Sequence, residues 1–222
     1  MLDQDNSSEP VKAVVFDFDG TLADTLPRTL RLFPVLAREF KFRSASPEEL
    51  ESLRSLGARE ILTRLGISWW KAPLVLWRAR NLLARDREPI EPFPGVVDLL
   101  RELDARGVEW GILTTNGWDL VRSTLRAWGA PEPGWLEAGV SLAGKARRLR
   151  RLASRFEVAP EQLLLVGDEV RDVEAARRSG AGMAAVTWGY NTRQALEGAN
   201  AACLCDTIEQ LRATMIRTEP TL

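Results

Sequence analysis

A chain of 222 residues, 45% of them hydrophobic, can bury one substantial core and needs no disulfide staples to fold. Thirty basic against thirty-one acidic residues leave a net charge of −1, so the overall balance draws the chain neither to nucleic acid nor to anionic lipid, and a small partner is expected. The absence of histidine excludes Ser-His-Asp triads, Cys-His pairs, histidine phosphatases and histidine-ligated zinc, which leaves acid–base and metal chemistry mainly to carboxylates.

Residues 1–10 are polar and acidic rather than basic and then apolar, and no apolar run approaches the ~20 residues of a membrane span. The expectation is a cytoplasmic protein without membrane contact, with flexible tails at 1–9 and 217–222. Val11-Lys-Ala-Val-Val-Phe16 reads as a buried first strand with chemistry at its carboxyl end. Residues 23–92 change to a helical pattern: Leu26, Leu30, Phe33, Ala37 and Phe40 share one face, which Pro34 is expected to kink, and Asp24 is expected to cap the helix. Ser46-Pro47-Glu48-Glu49 is a helix start, with an N-cap serine, proline at the first helical position and glutamate at the third, ahead of Leu50, Leu53 and Leu56. Gly57 and Gly66 mark breaks. Trp69, Trp70 and Trp77 read as core packing of this stretch in preference to substrate contact. Of Arg59, Lys71, Arg78 and Arg80, one is a candidate to read a substrate's leaving group, and spacing does not say which.

From Phe93 onward strands and helices alternate, the signature of a parallel sheet covered on both faces. Strands are expected at residues 108–114, 163–166, 183–187 and 201–205, and helices at 118–128, 144–156, 169–179 and 208–215. The fold class is therefore α/β, a Rossmann-like core of residues 10–22 and 93–216 interrupted by a small helical insertion at 23–92, with Pro89, Pro92, Pro94 and Gly95 punctuating the return.

Asp17-Phe-Asp-Gly-Thr21 follows the first strand. Residues two apart in an extended segment point the same way, so the Asp17 and Asp19 carboxylates face one site, where they repel unless a cation or a shifted pKa relieves them. Asp17-Phe-Asp-Gly-Thr-Leu-Ala-Asp24 resembles the first motif of the haloacid dehalogenase-like superfamily, and three further motifs follow in order. Thr115-Asn116 in Gly111-Ile-Leu-Thr-Thr-Asn-Gly117 resembles the second, with Thr114 the alternative if the register is off by one. Lys145 after Gly144 resembles the third, and Val166-Gly-Asp-Glu-Val-Arg-Asp172 the fourth.

The resemblance, nearest to the phosphoglycolate-phosphatase-like subgroup with a helical cap, implies an Mg²⁺-dependent phosphatase of a small phosphorylated metabolite. Asp17 is then the nucleophile that carries an aspartyl-phosphate, and Asp19 the acid that protonates the leaving oxygen and later activates water. Thr115, Asn116 and Lys145 bind the phosphoryl group. Asp17, the backbone carbonyl of Asp19 and Asp168 ligate the ion, with Asp172 in its outer shell. The rivals are a phosphomutase or other phosphotransferase sharing every core motif, a dehalogenase, which has no need of Asp19, and a non-catalytic binding protein. Nothing in the sequence fixes the metabolite or an oligomeric state.

Four features are weighed against blander readings. Lys145-Ala-Arg-Arg-Leu-Arg-Arg151 is read as the solvated face of an amphipathic helix rather than a nucleic-acid patch. Trp188-Gly-Tyr-Asn191 is expected to pack at the site rim, and Glu169 to tune the metal surroundings or face solvent. Cys203 and Cys205 read as buried thiols, since neither has the arginine six positions later that a cysteine phosphatase needs.

Overall fold

The computed structural model describes residues 11–85, 88–139 and 144–216; the expected tails lie outside the described residues. Six parallel strands form one sheet: β1 (Ala13–Phe16), β2 (Glu109–Leu113), β3 (Trp135–Glu137), β4 (Leu163–Gly167), β5 (Gly182–Val186) and β6 (Leu204–Cys205), in the order β3-β2-β1-β4-β5-β6. The central strand β1 is buried on both faces. Val14 and Phe16 join one core cluster, Ala13 and Val15 the other, as the two-residue period of a strand requires. The chain builds outward from β1 through β2 and β3, then reverses to β4, and such a reversal opens a crevice at the carboxyl ends of β1 and β4.

Helices α1 (Leu26–Phe40), α2 (Pro47–Leu53), α3 (Ala58–Arg64) and α4 (Ala72–Arg85) come between β1 and α5 (Val96–Ala105). The rest of the chain supplies α6 (Trp118–Ala127), α7 (Lys145–Arg155), α8 (Val170–Ser179), α9 (Arg193–Gly198) and α10 (Ile208–Ile216). The helix start at Ser46 is as expected, its hydroxyl accepting from Glu49 N at 3.2 Å. In α7, Ala146, Leu149, Leu152 and Ala153 are buried while the arginines alternate outward, the amphipathic face expected of this basic run.

Helix α1 runs through Pro34, which is exposed, so the carbonyl that loses its donor can turn to water. Other expectations need correction. Asp24 does not cap α1. The N-cap is Thr25, without a side-chain cap bond, and Pro27 in the first turn removes one of the donors a cap would serve. The tryptophans of the helical stretch are not core: Trp69, Trp70 and Trp77 are 80%, 63% and 59% exposed. Helix α4 packs Val75 inward, and Leu74 and Trp77 fall on the opposite side of the helix. Strand β3 had no sequence signal, being three residues long at the sheet edge. Gly111 makes room for it, since a Cβ there would lie 2.3 Å from the Trp135 indole.

The two crossings between sheet and helical stretch are tied to each other. Asp24 N donates to Glu91 O (2.9 Å) and Phe93 N to Leu22 O (3.0 Å), an antiparallel bridge centred on Ala23 and Pro92. Ala23 also bridges back to Asp19, with Gly20 N donating to Ala23 O at 2.9 Å.

Candidate active site

Asp17 follows β1 directly, and its N–H donates to Val166 O (2.8 Å), which locks it beside the end of β4. Its Oδ1 accepts from Phe18 N at 2.8 Å. Its Oδ2 lies 2.6 Å from Lys145 Nζ but accepts no hydrogen bond of good geometry, so it is charge-paired yet open to a further partner. Lys145 opens α7, only 2% exposed, and donates to Asp172 Oδ1 at 2.6 Å. Asp168 follows β4 directly; Thr21 Oγ1 donates to its Oδ1 (2.7 Å) and Tyr190 N to its Oδ2 (2.7 Å). Asp172 Oδ2 accepts from Glu169 N at 3.2 Å, capping α8.

Carboxylate oxygens of Asp17, Asp168 and Asp172 lie within 4.8 Å of one another, all buried. The side chain of Asp19 stands apart from this triad and accepts from Asn116 Nδ2 at 2.7 Å. Hard oxygen donors at this spacing, one of them lacking a hydrogen-bond partner, fit a divalent cation. Charge points the same way: Asp17, Asp19, Asp168, Glu169 and Asp172 converge with, among the described residues, only Lys145 and Arg171 as closely paired cations. Burial, reinforced by Asp17, pushes the Asp19 carboxyl up to about 6. Burial also raises Asp17, against the opposing charge of Lys145, and raises Asp168, to which Glu169 and Asp17 add. Burial works against the Lys145 ammonium, but Asp17 and Asp172 overcome it and hold the lysine above its ordinary value. A cation in the triad would relieve all three aspartates.

Thr114 and Thr115 divide their work. Thr114 is wholly buried and its hydroxyl accepts from Asn116 N (3.1 Å), shaping the turn, while Thr115 lines the cavity beside Asp19. Asn116, expected at the phosphate, donates from its side-chain amide to Asp19. The cavity, about 210 Å³, is walled by Asp19, Thr115 and Asn116 below and by α4 above. Of the four cations singled out in the helical stretch only Arg80 lines it; Arg78 pairs with Glu39 at 2.8 Å, and Lys71 lies over the Trp70 ring.

The Trp188–Asn191 loop does more than pack at the rim. Besides Tyr190 N on Asp168, the Tyr190 hydroxyl meets Thr25 and Thr29 at 3.1 and 2.8 Å. Asn191 Nδ2 donates to Arg54 O (2.8 Å) and Leu56 O (3.1 Å), while its Oδ1 accepts from Val170 N (2.9 Å). Arg54 answers through its guanidinium, donating to Tyr190 O and Gly189 O at 3.1 and 3.0 Å. Gly189 and Gly20 both press on Asp168, where an added Cβ would lie 2.3 and 2.2 Å from Oδ2. Thr21, Arg54 and the pairing of Glu169 with Arg171 were missed by sequence reasoning. Thr21 stood inside the first motif and was within reach; Arg54 carried no signal, because its contacts are 135 and 136 residues away.

Residues 14–186 match the haloacid dehalogenase-like hydrolase family. The chain belongs to that family, and it is a phosphoric monoester hydrolase. It is 36% identical over 202 residues to a phosphoglycolate phosphatase from Synechococcus elongatus, covering 90% of this chain and 95% of that one. An N-acetylmuramic acid 6-phosphate phosphatase from Pseudomonas aeruginosa is 26% identical, covering 81% and 83%. A haloacid dehalogenase-like hydrolase from Streptococcus pneumoniae superposes with a TM-score of 0.74 at 21% identity, covering 92% and 98%. Among the described residues no helix is long and apolar enough to cross a membrane.

Proposed function

We propose that this chain is an Mg²⁺-dependent phosphatase that passes the phosphoryl group of a small phosphomonoester to Asp17 and then to water, with phosphoglycolate the first substrate to test. The observation that carries the reading is the meeting of Asp17, Lys145, Asp168 and Asp172 in one buried cluster at the carboxyl ends of β1 and β4. The length of the match to the Synechococcus enzyme supports phosphoglycolate.

The residues divide the work as follows. Asp17 Oδ attacks phosphorus in line as the ester P–O bond breaks, and Asp19 gives its proton to the departing alkoxide. A carboxyl held near 6 keeps that proton available. Asp19 then takes a proton from the water that attacks the aspartyl-phosphate, and the Asp17–phosphorus bond breaks to free inorganic phosphate. Lys145 stays charged beside Asp17 throughout, and Thr115 offers a hydroxyl to a phosphoryl oxygen. Asp17, Asp168 and the Asp19 carbonyl would hold Mg²⁺, which when bound neutralises phosphoryl charge, with Asp172 behind them. Helices α1 to α4, residues 23–92, act as a cap that excludes water before the first transfer.

Phosphate release from a panel of phosphorylated metabolites, with Mg²⁺ and with chelator, tests this. Wild type is expected to need the ion, and Asp17→Asn to fold yet lose turnover; undiminished turnover by Asp17→Asn removes the assignment.

A further inference from the structure

We propose that Arg80 and Arg171 form a carboxylate-binding subsite in the cavity above Asp19, so that the leaving group is a short chain bearing a carboxylate. The inference rests on the phosphatase reading and names the substrate class it serves.

Three observations carry it. First, Arg80 reaches the cavity from α4 while Arg171 reaches it from α8, so two guanidinium groups on different elements border one space of about 210 Å³. Arg80 makes no hydrogen bond or ion pair among the described residues, although it is half withdrawn from water. Second, Arg171 commits one terminal nitrogen to Glu169, but its Nε is buried and has no partner. A buried guanidinium donor thus stands ready beside the cavity. Burial first, and then the charge of Arg171, make the Arg80 cation harder to keep, which an anion between the two would reverse. Planar guanidinium forks match a planar carboxylate through paired N–H donors.

Third, the α4 wall limits the ligand. Beside Arg80 it presents the apolar Leu76, Ala79 and Leu83, while Thr29, Tyr190 and Glu169 supply the remaining polar lining around Asp19, Thr115 and Asn116. The volume is below the ~300 Å³ at which pockets for drug-sized ligands begin. With the phosphoryl group held at Asp17 and Thr115, a short chain suits the space left before the arginines.

Two substrates separate tail recognition from phosphate chemistry. 2-Phosphoglycolate and 2-hydroxyethyl phosphate share the phosphate and a two-carbon frame, but only the first carries a carboxylate. Arg80→Gln is expected to lower kcat/KM for phosphoglycolate on the order of 100-fold, the scale of a lost charge-assisted hydrogen-bond pair, and Arg80→Lys to lower it less. For 2-hydroxyethyl phosphate the same variants should stay within about threefold of wild type. Equal losses on both substrates, or none on either, overturn the subsite.

Binding of 3-phosphonopropionate, whose C–P bond is not cleaved, provides a readout without turnover by calorimetry against propylphosphonate. Binding that depends on Arg80, in a protein releasing phosphate from neither ester, would keep the subsite and remove the phosphatase reading. Binding indifferent to Arg80 removes the subsite alone.

Discussion

Asp172 holds Lys145 in place: its Oδ1 accepts from the ammonium at 2.6 Å, and the same ammonium stands 2.6 Å from Asp17 Oδ2. The lysine therefore bridges Asp17 and a carboxylate from α8, with all three side chains withdrawn from water. Lys145→Met should lower kcat by roughly 10²- to 10³-fold, as loss of one preorganised charge does elsewhere, and should lower kcat/KM with it. Single-turnover kinetics checks this, and a change confined to KM would contradict it. Asp172→Asn leaves the ammonium half-paired in a buried site, so a stability loss of about 3 kcal/mol is expected in urea unfolding.

The pH dependence of metal-free stability has a definite sign. The Asp19 carboxyl is pushed from 3.8 to about 6 by burial and Asp17, and Glu169 from 4.5 to about 7, chiefly by burial with Arg171 opposing. Raised folded-state values mean the folded chain binds more protons than the unfolded one between roughly pH 4 and pH 7. This contribution is fully present below about pH 4 and is lost as pH rises through about 6 to 7. Melting curves at pH 5 and pH 8 should thus show Mg²⁺ raising Tm far more at pH 8, where the carboxylates are ionised. An equal Mg²⁺ shift at both values would count against the cluster as the binding place.

Asn191 links Arg54, Leu56 and Val170, and its neighbour Tyr190 donates to Asp168. Asn191→Ala removes the three bonds its side chain makes and loosens the backbone that orients the Asp168 carboxylate. The Mg²⁺ concentration for half-maximal activity should rise about tenfold, the usual scale for losing support behind a ligand. A Mg²⁺ titration that overlays wild type would show the loop to be packing alone.

Two glycines make a matched pair. Gly20 has φ +73°, and a Cβ there would lie 2.2 Å from Asp168 Oδ2 and 2.5 Å from the Tyr190 ring. Gly198 ends α9 with ordinary φ and nothing within 4 Å of its added Cβ. Gly20→Ala should abolish Mg²⁺-dependent thermal stabilisation, whereas Gly198→Ala should be neutral or stabilise by about 0.4–1 kcal/mol. Comparable behaviour of the two variants would refute the close-approach argument.

What the sequence revealed follows from range. Asp17, Asp19 and Asp168 sit at strand ends that alternation of short apolar runs marks directly, and Lys145 opens a helix whose apolar stripe is plain at 3.6-residue spacing. The sheet order then brings those ends together without further instruction. Arg54 on Gly189 and Tyr190 is invisible because no local pattern encodes a bond across 135 residues. The exposed Trp69, Trp70 and Trp77 mislead for a related reason. A hydrophobic side chain announces a tendency to be covered, and only the packing of α4 on α1 decides which face is already taken.

The bridge of Ala23 with Pro92 has one last mechanical consequence. Because outgoing and returning strands are stitched side by side, the chain enters and leaves α1 to α4 through one ribbon rather than two independent tethers, and the bonds of Arg54 and Asn191 add a second attachment to the core. Ala23 is bonded onward to the Asp19–Gly20 turn, so the seating of the helical stretch and the placement of Asp19 are coupled through one stretch of backbone.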